Sequence, residues 1–267
     1  MSEKFRDFLK SSIWKTIDFS TTDQSRGIKP PPAEKPCNPE DRRINLTKPG
    51  DWKSISEVSI EAVIAQRKSR RSYTTEAIKL EELSFLLWAT QGLRGKRSAV
   101  RNYRTVPSAG CRHALETYIA AFRVEGIPKA IYRYLPMSHQ LVEVVRHQDL
   151  EGLLTQAALE QSFAGKSAVT FIWTTIPKRM EWRYSGTSYK VIALDAGHVC
   201  QNLYLACEAI GAGTCAIAAY DQELADKLLG IDGVEEFTIY MAPVGKVNKR
   251  LKKNNVSRDG CTSPIIR

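Results

Sequence analysis

The stretch from Ala193 to Ile210 constrains this chain more than any other. It reads as a long helix, and Leu194, Val199, Leu203, Leu205 and Ile210 cannot all lie on one narrow stripe of it. A helix apolar round most of its circumference must be buried on several sides, within a layered core or at a subunit interface. With 267 residues, 43% of them hydrophobic, the chain can build such a core.

Around that helix the hydrophobic period alternates between 3.6 and 2. Ile60, Val63, Ile64 and Arg67 follow Ser59, a fair N-cap, at helical spacing. Leu80 to Gln91 is a second helix with Leu80, Leu83 and Leu87 on one face and Gly92 as its stop. Arg94 to Ala109 is polar and loop-like. Leu115–Val124, Ile131–Leu135 and Leu141–Val145 then read as strands, the last two joined at Ser138-His139, which makes a β-meander. Asp149–Ala164 returns to helix and Ala168–Thr174 to strand. After the long helix come a strand at Thr214–Ala219, a helix at Gln222–Leu229 and a strand at Glu236–Ala242. This mixed order makes the class α+β.

Residues 1–50 read differently. Phe5, Phe8, Leu9 and Ile13 suggest a short helix, and Lys29-Pro30-Pro31-Pro32 with Lys35-Pro36 suggests an extended arm, either disordered or wrapped on a partner subunit. The expected organisation is this arm, a main domain over 51–250, and a basic tail over 251–267 that reads as a solvated charged segment.

The formal net charge of +10 suits an anionic partner: a nucleic acid, a membrane surface or a phosphorylated cofactor. No apolar run reaches the ~20 residues of a membrane span, and no stacking-aromatic signature or helix-turn-helix supports nucleic-acid binding. The six cysteines, Cys37, Cys111, Cys200, Cys207, Cys215 and Cys261, include no C-x-x-C pair, and no metal site is expected. Cys200, Cys207 and Cys215 read as small buried hydrophobes. A reduced, cytoplasmic protein is the expectation. Of the four histidines, His139 and His147 are expected near the surface and His198 in the core or at an interface. Gly211-Ala212-Gly213-Thr214-Cys215-Ala216 fits a dinucleotide fingerprint in letters only. It leaves a helix and opens a strand, the reverse of what that site needs, and reads as a helix stop with close backbone packing.

Two stretches carry candidate chemistry. In Arg67-Lys68-Ser69-Arg70-Arg71-Ser72-Tyr73 the alternate residues Arg67, Ser69 and Arg71 project to one side of an extended segment. Two guanidinium groups and a hydroxyl suit a phosphate monoester. Cations favouring the negative end of a helix dipole explain the same letters equally well. Arg104-Thr105-Val106-Pro107-Ser108-Ala109-Gly110 is a turn whose small residues would let a flat ligand approach the backbone.

Taken in order, these segments resemble the nitroreductase family, in which a helix-ending R-x-S-x-R-x-[FY] binds phosphate. The SagB-type dehydrogenase branch is the closer likeness. It is carried by Arg104 to Gly110, Tyr132-Arg133-Tyr134, Asp195-Ala196-Gly197-His198, and Asp23-Gln24-Ser25 in the arm. The resemblance implies an α+β sandwich, with a mixed or antiparallel sheet flanked by helices, forming an intertwined homodimer with FMN at the interface. Arg67, Lys68, Ser69 and Arg71 would then hold the phosphate and ribityl chain. Pro107, Ser108, Ala109 and Gly110 of the other subunit would line the isoalloxazine ring. Gln161 would meet its pyrimidine edge, as a donor, and Ile217, Ala218 and Ala219 would bring backbone to N5 and O4. The implied reaction is ping-pong hydride transfer from NAD(P)H through flavin N5 to a small-molecule acceptor.

One departure matters. Azoline-oxidising members of that branch carry a Lys-Tyr pair where this chain has Arg183-Tyr184. An arginine stays cationic and cannot serve as a base, whereas Tyr184 can donate a proton, stack on a substrate, or be a packed aromatic. Azoline oxidation in peptide biosynthesis therefore stands as the alternative reading. A basic nucleic-acid- or surface-binding protein without catalysis is the alternative of another class.

Overall fold

Alternating side chains on a sheet buried on both faces organise the molecule. The computed structural model describes residues 6–95 and 102–248. Strands β1 (Arg43–Asn45), β2 (Leu115–Ala121), β3 (Ala130–Leu135), β4 (Gln140–Val145), β5 (Val169–Thr175), β6 (Ala212–Thr214) and β7 (Phe237–Lys246) form one sheet in the order β1-β4-β3-β2-β5-β7-β6. Every pairing of neighbours in it is antiparallel.

Along β2, Leu115, Ile119 and Ala121 join one apolar cluster while Tyr118 and Ala120 join the other; on β5, Phe171 and Trp173 face the first and Ile172 the second. That is the two-residue period of a strand put to use on both faces. Helices α1 (Ile60–Gln66), α2 (Leu80–Gln91), α3 (Leu150–Ala157), α4 (Lys178–Tyr184), α5 (Ser188–Ala209) and α6 (Gln222–Leu229) surround the sheet. α2 and α5 supply Leu83, Leu86, Leu87, Val199 and Leu203 to the first cluster, and α3 and α6 supply Leu150, Leu154, Leu228 and Leu229 to the second. The α+β class read from the sequence holds, and the helix-flanked sheet that the resemblance implied as mixed or antiparallel is antiparallel.

Several boundaries moved for physical reasons. The helix expected over 149–164 stops at Ala157, because Leu159 and Glu160 adopt left-handed backbone (φ 52° and 60°) that ends it. The expected strand over 214–219 holds the ladder only to Thr214, rejoining it at an isolated bridge between Ile217 and Met241. The long helix begins at Ser188 rather than Ala193, and the polar segment before it contains α4, which periodicity did not reveal. Gly92 does end α2, but at φ −65°. A side chain is excluded there because its Cβ would lie 2.7 Å from the Trp88 backbone.

The arm docks on its own chain. Trp182 Nε1 donates to Ile28 O (2.7 Å), and Lys178 pairs with Asp23 (2.8 Å). Farther along, Arg104 Nη2 donates to Ala33 O (3.0 Å), and Arg133 reaches Lys35 O and Pro36 O (2.7 and 2.9 Å). Buried Glu116 receives Arg179 (2.6 Å), Arg133 (3.3 Å) and the Lys35 amide (2.8 Å). Arm carbonyls thus take up guanidinium hydrogens of buried Arg104 and Arg133 beyond those that Gln91 and Glu116 engage. The arm also supplies β1, which the sequence did not announce. The tail over 251–267, which contains Cys261, lies outside the described residues, as do Lys249 and Arg250 before it.

Candidate functional site

Ser59 caps α1 as expected, its Oγ accepting from Ala62 N (3.2 Å). After α1 the chain runs beside β6: Ser69 bridges Thr214, and Arg70 N donates to Thr214 O (2.8 Å). Gly213 is required for that approach, because a Cβ there would strike the Arg70 side chain. Gly211 turns the end of the preceding helix at φ 63°. This stretch is therefore a helix stop with close backbone packing and not a dinucleotide turn.

Arg67 and Ser69 converge on one ring. The Arg67 guanidinium lies 5.2 Å from the Tyr204 ring centroid, and Ser69 Oγ lies 3.0 Å from Tyr204 Oη. Arg71 stands 5.9 Å from the Phe163 centroid, in the segment that carries Gln161. Among the described residues, none of Arg67, Lys68, Arg70 and Arg71 forms an ion pair. Glu208, one turn beyond Tyr204, is pushed up by burial and pulled back by Arg70, Arg67 and Lys68. A dense positive field without a contacting carboxylate is a standing attraction for an anion.

Gln161 and Ala219 meet. Gln161 Nε2 donates to Ala219 O and to Ala158 O, both at 2.9 Å. Both amide hydrogens point inward, so Oε1, an acceptor, is what Gln161 offers a ligand. The resemblance implied a donor at this position; with Nε2 engaged twice, the free atom is an acceptor. Ile217 is buried and exchanges backbone bonds with Met241, whereas Ala218 and Ala219 are exposed, with amides that make no hydrogen bond among the described residues.

The second group of candidate residues sits elsewhere. Ser108 Oγ accepts from His113 N (2.9 Å), and Asp195 of α5 lies close enough to Ser108 and the Ala109 amide for both to pull its carboxyl down. Burial raises the Asp195 carboxyl, and its Oδ2 has no partner. Gly110, at φ 56°, lies against Arg183 and Tyr184: a Cβ there would come within 2.7 Å of the Tyr184 hydroxyl. Arg183 stacks over Tyr184 (5.5 Å), whose ring meets Trp14 edge-on. Pro107 is exposed at the mouth of a cleft it shares with Arg94, Arg104, Cys111 and His113. Asp195 and Tyr204 are nine residues, ~14 Å, apart along the helix axis, so α5 carries the two groups at different heights.

Sequence reasoning missed Tyr204, Asp195 and His113 as participants, since only tertiary packing brings them to these loops. His113 is buried beside Cys111 (Nε2 to Sγ 3.5 Å), and both have positive φ. His139 and His147, expected near the surface, are half-buried, bound to Tyr134 and Thr47 and to Leu228 O respectively; His198, expected in the core or at an interface, is not in the core but exposed on the single chain. Among the described residues no helix is long and apolar enough to cross a membrane, and no group of three or more His, Cys, Asp or Glu could hold a metal.

Known proteins resemble this chain in both sequence and fold. A protein designated a nitroreductase in Methanocaldococcus jannaschii is 31% identical over 193 residues, covering 72% of this chain and 93% of the relative. The trifolitoxin-processing protein TfxB of Rhizobium leguminosarum bv. trifolii is 27% identical over 133 residues, 48% of this chain and 36% of its own. A crystal structure from Ralstonia eutropha, designated a nitroreductase, superposes with a TM-score of 0.64 at 25% identity, covering 83% of this chain and 95% of that one. Another from Anabaena variabilis gives 0.65 at 23% identity over 79% of this chain, which spans only 42% of that longer protein. The Nitroreductase family model matches residues 64–246, from the end of α1 through β7, and the chain belongs to the nitroreductase family.

Proposed function

We propose that this protein is an FMN-dependent oxidoreductase that works as a homodimer, taking hydride from NAD(P)H and passing it to a small acceptor. The observation that carries the reading is the unpaired cationic run at the end of α1, joined through Tyr204 to a strand whose next residues present two free amides. This set matches the parts of a flavin mononucleotide. Arg67, Lys68, Ser69 and Arg71 would hold the phosphate and ribityl chain. Gln161 Oε1 would accept from the pyrimidine edge, and the exposed Ala218 and Ala219 amides would donate toward N5 and O4. Pro107, Ser108, Ala109 and Gly110 would come from the second subunit, which suits their separation from the cationic run within one chain. Bound FMN supplies the hydride chemistry; the chain binds it, orients it and shapes access for donor and acceptor. Freshly purified protein should show bands near ~450 nm and release FMN on heating. A colourless protein that stays so after incubation with FMN would overturn the reading.

The likeness to a trifolitoxin-processing protein supports a second reading, in which the substrate is a modified peptide carrying the azoline ring that the SagB-type resemblance implies. Arg183 weakens it, because the position offers no base, and Tyr184 would have to act without one. An azoline-containing peptide that loses two hydrogens in the presence of the FMN-loaded protein would establish this reading. An unchanged peptide mass, with quinone or nitroarene reduction intact, would leave the first.

A further inference from the structure

Tyr204 is 9% exposed, and its hydroxyl oxygen is shared by two segments distant in sequence. The Ala216 amide donates to it (2.9 Å), and Ser69 Oγ lies 3.0 Å away. A phenol has one proton to give. With one lone pair of Oη taken by the Ala216 N–H, donation to Ser69 Oγ is the arrangement that uses the phenol proton. Ser69 then accepts from Tyr204 and keeps its own hydroxyl proton for a partner outside. Ser69 itself is exposed, so that proton faces solvent beside Arg67, Lys68 and Arg71. The Arg67 guanidinium rests on the face of the same ring, which limits where its donors point. A single side chain on α5 thus fixes the proton direction of the serine, the placement of one arginine, and the spacing between the α1 terminus and the strand leading to Ala218.

We infer that Tyr204 is a positioning residue for the anionic end of the ligand: its hydroxyl commits Ser69 to donating toward phosphate. The inference rests on the FMN reading and names how that site discriminates a phosphorylated flavin from an unphosphorylated one. Tyr204→Phe keeps the ring under Arg67 and removes only the hydroxyl. Ala216 loses its acceptor in the same variant, so the apoprotein is expected to melt earlier. The ratio of FMN to riboflavin affinity therefore carries the test, because general loosening weakens both flavins alike.

Dissociation constants for FMN and for riboflavin are to be measured by flavin fluorescence on wild type, Tyr204→Phe, Ser69→Ala and the double variant. The preference for FMN over riboflavin should fall about tenfold in Tyr204→Phe, by about as much in Ser69→Ala, and no further in the double variant. An unchanged preference in Tyr204→Phe, or losses that multiply in the double variant, would overturn the inference while leaving the FMN site standing. Wild-type protein that binds neither flavin would instead overturn the FMN reading, and this inference with it. If Tyr204→Phe does not fold, Ser69→Ala, an exposed change, decides alone: undiminished FMN preference there removes the serine from the phosphate and refutes the proposal.

Discussion

His113 shows how one residue gives the loop beside the candidate site a pH dependence. Burial, then the charges of Arg104 and Arg112, push its imidazole down from 6.5 to about 3, and Cys111 and Arg179 complete its surroundings. A base whose folded value is depressed contributes stability that is whole above its unfolded value. As pH falls below 6.5 the unfolded chain takes up a proton that the folded chain refuses, so stability is lost progressively toward the folded value. Between pH 7 and pH 5 the group should cost ~2 kcal/mol. Urea midpoints for wild type and His113→Asn at the two pH values measure this directly. The wild type should lose ~2 kcal/mol more than the variant, and parallel losses would refute the assignment. Of this, the letters Cys111-Arg112-His113 show only the neighbouring Arg112; burial, the largest cause, and the charges of Arg104 and of Arg179 on α4 come from tertiary packing.

At the scale of elements, what the sequence told and what it withheld divide by locality. Ser59 capping α1, Leu80 to Gln91 as α2, the meander, and Gln222 to Leu229 as α6 all depend on neighbours within a turn or a hairpin, and period and capping chemistry expose them. Failures gather where tertiary demands win. α3 stops early so that Gln161 can turn back to Ala219, and β6 leaves the ladder after Thr214, which frees the Ala218 and Ala219 amides. α4 was hidden because its burial depends on Glu116 and on the docked arm rather than on a periodic stripe. Local rules broken at a candidate site are what a strained or functional segment looks like. α6 anchors the far end of this segment: Asp221 accepts from Leu224 N (2.9 Å) and its own amide donates to Ala157 O (2.8 Å). Asp221→Ala should cost ~1 kcal/mol and lower the melting temperature by a few degrees, read by circular dichroism. No change in melting would show that the cap is dispensable and that Ala157 alone holds the turn.

For the whole molecule the deciding feature is apolar surface that the single chain leaves uncovered. Ile60 and Ile64 on α1 are 66% and 59% exposed, and Leu194 faces solvent from α5. Between α1, α2 and α5 lies a groove of about 430 Å³ lined by Val58, Val63, Phe85, Trp88, Leu205 and Ala209. The long helix that the sequence marked as apolar nearly all round thus buries one side against the sheet and α2 and leaves the other open. Apolar surface of this kind suits a protein interface, and under the proposed homodimer a second copy related by twofold symmetry would cover both copies' surfaces at once. The same pairing would bring the 107–110 turn of one subunit to the cationic run of the other. Ile64→Glu places a charge on this surface without touching the sheet core or any residue assigned to the cofactor. Light scattering after gel filtration should give twice the chain mass for wild type and the chain mass for Ile64→Glu. The monomeric variant should also lose FMN, since each site would lack its second half. A wild-type monomer that retains flavin would overturn the shared-site arrangement and require the Arg67 cluster to hold the cofactor with residues of one chain alone.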